Sequence, residues 1–284
     1  MTRTTLRSPL THRAQNAVRR TIARVERGPR ELPTYFVIGA KRAGTTSLNE
    51  YLVRHPNVER GLIEKGSRYF DVNFDKGWDW FTHNFPSKRQ IDRIEARTGV
   101  RPILGESSPY YVYHPDAASR IAARIPDARL LLLVREPISR AWSHYHYERS
   151  LGYETLDIHA ALDAEPQRLS SGSAEERAHA DRHFGYIARS QYADQIERVL
   201  EHFDDEQLLV IESERLFREP QAVMTEVYAH VGLPPHTDDF SDAFKQNRYD
   251  AIPDDVVARL APLFIDSNAR LRERYGDSIN WLSA

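Results

Sequence analysis

Two cations and three hydroxyls crowd into one short stretch, Gly39-Ala40-Lys41-Arg42-Ala43-Gly44-Thr45-Thr46-Ser47. Lys41 and Arg42 supply charge, the glycines permit a tight turn, and Thr45, Thr46 and Ser47 bring hydroxyl and N-cap chemistry. An apolar run, Tyr35-Phe36-Val37-Ile38, comes before them; Leu48, Tyr51 and Leu52 come after, spaced along one helix face. A strand, a glycine loop and a helix start aim backbone N–H groups at one point, reinforced by the helix dipole. That chemistry suits a phosphate-like anion bound by Lys41, Arg42, Ala43, Gly44, Thr45, Thr46 and Ser47. The bland alternative is an ordinary βα turn. The spacing Gly39-x4-Gly44 also invites comparison with the nucleotide-triphosphate P-loop, but Thr45 stands where that loop has its lysine.

A second constellation is Arg135-Glu136-Pro137-Ile138-Ser139-Arg140-Ala141-Trp142-Ser143-His144-Tyr145. In an open parallel sheet, ligands gather at the carboxyl ends of strands, and Arg135 emerges at such an end. With Pro137 or Ile138 opening a helix, Ser143 lies about two turns in, within reach of an anion held by Arg135. A magnesium-dependent NTPase commonly ends this strand in Asp, to help hold the metal. Here a cation ends it, so a second phosphate is gripped by guanidinium and hydroxyl and no metal is expected. The competing reading of Arg135 is a surface salt bridge.

The elements that must position these groups follow from patterning. Strands are expected at Tyr35–Ile38, Ile103–Glu106, Arg129–Val134 and Leu208–Ile211; the continuous Leu run of the third suits a parallel strand covered on both faces. Helices are expected after the loop and over about 87–100, 116–125, 138–150, 192–203 and 223–231. A helical C-terminal third should break at Pro262. Trp78, Trp80, Phe81 and Phe85 form a dense aromatic group that reads as core. Residues 165–182, rich in Ser, Ala, Glu and Arg, read as an exposed loop or loosely held helix. Strands alternating with helices predict an α/β, P-loop-like three-layer fold, its central, mostly parallel sheet flanked by helices.

The totals set bounds. A chain of 284 residues, 40% hydrophobic and 28% charged, suits one sizeable domain at 31–284. Residues 1–30 carry eight arginines and one acid, Glu26, and read as a basic arm or short helix. That arm is solvated, or touches an anionic partner or membrane surface. A net charge of −2 excludes a globally basic nucleic-acid binder. Cysteine is absent, which excludes a disulfide framework, a thiolate nucleophile and a cysteine zinc site. No apolar run approaches the roughly 20 residues that span a bilayer, and a cytoplasmic location is expected.

With both motifs in hand, the chain resembles the sulfotransferases that use 3′-phosphoadenosine-5′-phosphosulfate (PAPS). Gly39–Ser47 resembles their 5′-phosphosulfate loop, and Arg135–Tyr145 their 3′-phosphate motif, with Arg and Ser eight residues apart. Tyr69–Trp80 is similar to the region after the catalytic Glu in the carbohydrate-type branch, which includes the heparan sulfate enzymes. Glu106-Ser107-Ser108-Pro109-Tyr110, Gln191–Gln195 and Leu208-Leu209-Val210 are similar too, so the likeness runs from about Tyr35 to Trp281.

The resemblance implies in-line transfer of a sulfuryl group from PAPS to a hydroxyl or amine, with 3′,5′-ADP as product. Charge builds on the bridging oxygen and must be neutralised there. The family usually has Lys at the position of Arg42, so Arg42 and Lys41 are both candidates for that cation. An ungapped comparison puts Gly66 where the heparan-type enzymes carry their Glu. Glu64, Glu106 and His144 are the candidates for the base; Glu64 and Glu106 also read as loop anchors. Two other classes compete: a P-loop nucleotide kinase, opposed by Thr45 and Arg135, and a catalytically silent PAPS binder, favoured by Gly66 and Arg42. The acceptor is open among carbohydrate, lipid-linked sugar and secondary metabolite.

Overall fold

A computed structural model describes residues 28–62, 66–240 and 249–282. Residues 1–27 of the basic arm and Glu64 lie outside the described residues. At the centre is β1 (Tyr35–Gly39), buried along its whole length. It is flanked by β3 (Ile103–Ser107) on one side and β4 (Arg129–Val134) on the other. The short β2 (Val58–Glu59) and β5 (Leu208–Glu212) complete the order β2-β3-β1-β4-β5, and every pairing is parallel. β2 was not expected: two residues carry no periodicity to detect.

The apolar runs explain the layering. Leu130 to Val134 are almost wholly inaccessible, as a strand covered on both faces requires. α1 (Thr45–Leu52) leaves β1 through the loop and buries Leu48, Tyr51 and Leu52. α2 (Trp78–Thr82) and the aromatic residues before it form a packed group in which the Tyr69 and Phe81 rings stack with centroids 4.9 Å apart. α3 (Lys88–Thr98) opens with a capping box between Ser87 and Gln90. α4 (Ala117–Arg124) leads into β4, and α5 (Pro137–Ser150) leaves it. α5 starts where it does because Pro137 stands at its first turn and the Glu136 carboxylate accepts from the Ile138 and Ser139 amides.

Residues 165–182 take the helical of the two expected forms, and most of them are exposed. They belong to two helices, α6 (Ile158–Ser170), which contains Pro166, and α7 (Ala174–His183). Ser173 and Glu176 form a capping box that starts α7, a signal present in the sequence as Ser-x-x-Glu. Packing of α5 and α6 with the helix over Asp254–Leu260 forms a second apolar cluster around Trp142, Tyr145, Leu162 and Tyr186. The chain continues through α8 (Tyr192–Leu200), α9 (Ser213–Arg218) and α10 (Pro220–His230). α11 (Asp254–Leu260) and α12 (Ile265–Tyr275) follow, separated by a 3-10 turn at Ala261–Phe264 that contains Pro262. No helix among the described residues is long and apolar enough to cross a membrane.

Candidate active site

The loop between β1 and α1 sits at the carboxyl end of the central strand, where both neighbouring strands also end. Its backbone is shaped for close approach: Arg42 has φ 77 and Gly44 φ 92. A Cβ on Gly44 would meet the Phe217 ring at 3.1 Å in a left-handed conformation that L residues rarely adopt. α1 has Gly44 at its N-cap, which has no side chain to cap it, and its first turn faces the loop.

The two loop cations point to different neighbours. Arg42 turns toward α5, where its Nε donates to Ser143 Oγ at 3.1 Å. Its Nη2 donates to Tyr249 Oη at 3.1 Å, and its guanidinium lies 4.6 Å from the Tyr147 ring centroid. Arg135 reaches the same residue from the end of β4, its Nη1 3.5 Å from the Arg42 carbonyl. Glu214 stands 3.9 Å from Arg135, a loose ion pair. The residues of the two sequence motifs therefore meet at Arg42.

Lys41 turns toward α7. Its Nζ donates to Glu148 Oε1 at 2.5 Å and to the Arg182 carbonyl at 3.0 Å, in the last turn of that helix. Burial and the neighbouring Arg189 charge lower the Lys41 pKa to about 7, against the opposing pull of Glu148. Glu148 is wholly buried on α5. Its Oε1 also faces His144 Nε2 at 3.1 Å, and its Oε2 faces His183 Nδ1 at 2.7 Å. Burial works to raise its pKa, but the two histidine bonds and the Lys41 charge outweigh it and hold the carboxyl well below the usual range.

His144 is sealed inside this network. Burial, then the Lys41 charge, pushes it well below an ordinary histidine. Its Nδ1 lies 3.5 Å from Arg140 Nη1, and Arg140 is itself buried against Ser190, Tyr186 and the Lys41 carbonyl. Arg140, His144 and Glu148 recur every fourth residue, a buried polar stripe on one face of α5. Arg189 lies alongside, its guanidinium 4.9 Å from the Tyr110 centroid and 5.2 Å from the Tyr113 centroid. Its Nη1 donates to the Asp181 and Arg182 carbonyls, and its buried Nη2 has no hydrogen-bond partner among the described residues. Cations outnumber the single carboxylate around Lys41, so the pocket favours an anion.

Glu106, at the end of β3, occupies a different setting. Its Oε1 accepts from the Ser67 amide at 2.7 Å, Ser67 Oγ at 2.9 Å, Ser108 Oγ at 2.8 Å and Tyr111 Oη at 3.1 Å. Its Oε2 is buried, with no hydrogen-bond partner among the described residues. Burial raises its pKa to about 7 despite those bonds. The contacts tie the 66–68 segment to the strand end. Gly66 itself is packed so closely that a Cβ would lie 2.1 Å from the Ser107 carbonyl oxygen and 2.2 Å from Ser108 Oγ. A carboxylate side chain does not fit at position 66.

Thr45 and Ser47 are buried in the first turn of α1, and Thr46 lies between them. Sequence reasoning missed Glu148, His183, Arg140, Arg189 and Tyr249. The four-residue repeat on α5 was a usable signal for Glu148 and Arg140. His183 comes from a helix distant in sequence, and nothing local marks it.

Residues 32–261 match the model of the sulfotransferase domain family. The human bifunctional heparan sulfate N-deacetylase/N-sulfotransferase 3 is 28% identical over 216 residues, 72% of this chain and 23% of that protein. The human heparan sulfate glucosamine 3-O-sulfotransferase 3A1 is 29% identical over 209 residues, 74% of this chain and 46% of that protein. The chain thus spans less than half the length of these curated relatives. A sulfotransferase from Alicyclobacillus acidocaldarius superposes with a TM-score of 0.68 at 26% identity, covering 89% of this chain and all of that one.

Proposed function

This chain belongs to the sulfotransferase family, an enzyme of the class that transfers a sulfuryl group from PAPS, and we propose that Arg135, Ser143 and Arg42 bind the donor's 3′-phosphate. The observation that carries this assignment is the meeting of the two motifs: Ser143 hydrogen-bonded to Arg42, and Arg135 at the Arg42 carbonyl. The loop from Ala43 to Ser47, with the uncapped start of α1, receives the 5′-phosphosulfate. The site fits a donor with two separated anionic groups, because its cations fall into two groups with hydroxyls beside them.

Lys41 neutralises charge on the oxygen that sulfur leaves. It is the loop cation turned away from the 3′-phosphate residues, held by a carboxylate it can exchange for an anionic ligand. The acceptor is a sugar hydroxyl or amine; support comes from relatives named for heparan sulfate. Transfer takes place in the cytoplasm, which fractionation of the native host checks.

Calorimetry and labelled donor test these assignments together. The protein binds 3′,5′-ADP without magnesium and moves label from [35S]PAPS to de-N-sulfated heparan sulfate. Magnesium-dependent ATP binding in place of 3′,5′-ADP binding would indicate a kinase. Binding of 3′,5′-ADP without any transfer would indicate a silent binder. Arg135→Ala weakens 3′,5′-ADP by about 1.5–3 kcal/mol, roughly tenfold to over a hundredfold, and 5′-AMP far less. Equal losses for both nucleotides remove Arg135 from the 3′-phosphate.

A further inference from the structure

We propose that His183, oriented by Glu148, is the general base that takes the acceptor's proton, in a position the family's glutamate does not occupy. This rests on the sulfuryl-transfer reading of the site. Position 66 is closed to a carboxylate because Gly66 abuts the Ser107 carbonyl, Glu106 is sealed behind four donors, and Glu64 lies outside the described residues. A base must instead be reachable from solvent and stand close to the cation that neutralises the leaving oxygen.

His183 meets both requirements. Its Nδ1 lies 2.7 Å from Glu148 Oε2, and the other oxygen of that carboxylate binds Lys41. Glu148 is ionised and wholly buried, so it only accepts; His183 Nδ1 must therefore carry the proton and donate. That fixes the tautomer and leaves Nε2 with a free lone pair. Among the described residues Nε2 has no hydrogen-bond partner, and the side chain keeps 17% of its surface open. A buried carboxylate orienting a half-buried imidazole is the arrangement that hydrolases use to ready a base. His144, on the same carboxylate, has no such opening.

In the step, the acceptor oxygen or nitrogen forms a bond to sulfur while the bond from sulfur to the 5′-phosphate oxygen breaks. The electron pair of that bond leaves with 3′,5′-ADP, and the acceptor proton ends on His183 Nε2. The groups facing His183 are Glu148 and His144 on α5, Lys41 on the phosphate loop, Tyr153 after α5, and His179 and Arg182 on α7. Of these, the Tyr153 ring covers one face of the imidazole at 4.0 Å between centroids.

The test uses the full chain with 15N-labelled histidine, [35S]PAPS and de-N-sulfated heparan sulfate as the probe acceptor. His183→Gln lowers kcat/KM about a hundredfold or more. Its affinity for 3′,5′-ADP stays within about twofold of the parent. His202→Gln, on the exposed turn after α8, leaves transfer unchanged. At about pH 8, nitrogen spectra show His183 protonated on Nδ1 and bare on Nε2. Unchanged kcat/KM in His183→Gln, or 3′,5′-ADP affinity falling in step with activity, overturns the proposal. So does a proton on His183 Nε2 at that pH. Should the parent transfer nothing to this polysaccharide, the acceptor assignment fails and the nitrogen spectra alone decide His183.

Discussion

Two buried glutamates flank the phosphate loop, and their pKa values are pushed in opposite directions. Glu148, on the α5 side, meets a lysine and two histidines. Glu106, on the β3 side, meets three hydroxyls and one amide, all on a single oxygen. Both are removed from water, and desolvation alone would raise both. The difference lies in the partners: a nearby cation stabilises a carboxylate, whereas neutral donors on one oxygen leave the other unsatisfied. The ionised glutamate therefore organises the proton-handling side of the site. The glutamate with a raised pKa holds loops together on the other side.

The largest expected effect comes from removing the ionised one. Glu148→Ala leaves Lys41, His144 and His183 facing each other without their common carboxylate, in a pocket already crowded by Arg140 and Arg189. Breaking a buried ion pair from one side costs about 3–5 kcal/mol. For a chain of this size that lowers Tm by about 6–20 °C. A loss below about 1 kcal/mol would mean that water or rearrangement satisfies the cations, and the contrast between the two glutamates would collapse.

The next effect separates the loop cations. Lys41→Ala lowers kcat about 10²- to 10³-fold with a smaller loss of 3′,5′-ADP affinity, because its charge acts where the transition state develops it. Arg42→Ala does the reverse, weakening 3′,5′-ADP about tenfold or more through the Ser143 and Arg135 group. Single-turnover rates and calorimetry read the two quantities separately. The opposite ranking assigns the transition-state charge to Arg42.

The two sides also differ in how far the sequence revealed them. The sheet was legible because its strands are long apolar runs, and the phosphate loop because Gly39, Gly44 and two adjacent cations stand together in the chain. Arg135 and Ser143 were legible for the same reason: one strand end and the helix after it carry both. Glu106 stood at an expected strand end, yet its partners come from Ser67 and Tyr111, which no spacing links to it. Glu148 was hidden by distance from the motif, although its helix repeats Arg140, His144 and Glu148 at one-turn intervals. His183 lies just past 165–182, a stretch whose polar composition suggested an exposed loop or loosely held helix. The Ser173–Glu176 capping box decides for the helix, because it satisfies backbone groups directly.

The smallest expected effect, a pH slope, tests the contrast most directly. Glu106 has its pKa raised from 4.5 to about 7, so between those values the folded chain holds a proton that the unfolded chain has released. Stability then falls as pH rises through that window, because the native state binds more protons there than the unfolded state. Its contribution is greatest below pH 4.5 and is lost by about pH 7, with a slope of no more than about 1.4 kcal/mol per pH unit. Glu148 has the opposite sign: its pKa is depressed, so its contribution is present above the ordinary carboxylate range and fades only as pH drops below it. Glu106→Gln keeps an oxygen for Ser67, Ser108 and Tyr111 while removing the titration. Denaturant unfolding of this variant gains on the parent as pH rises from 4.5 to about 7 and runs parallel to it above. A constant difference across that window would show that Glu106 is ionised in the folded chain, and that cations are not what distinguishes the two glutamates.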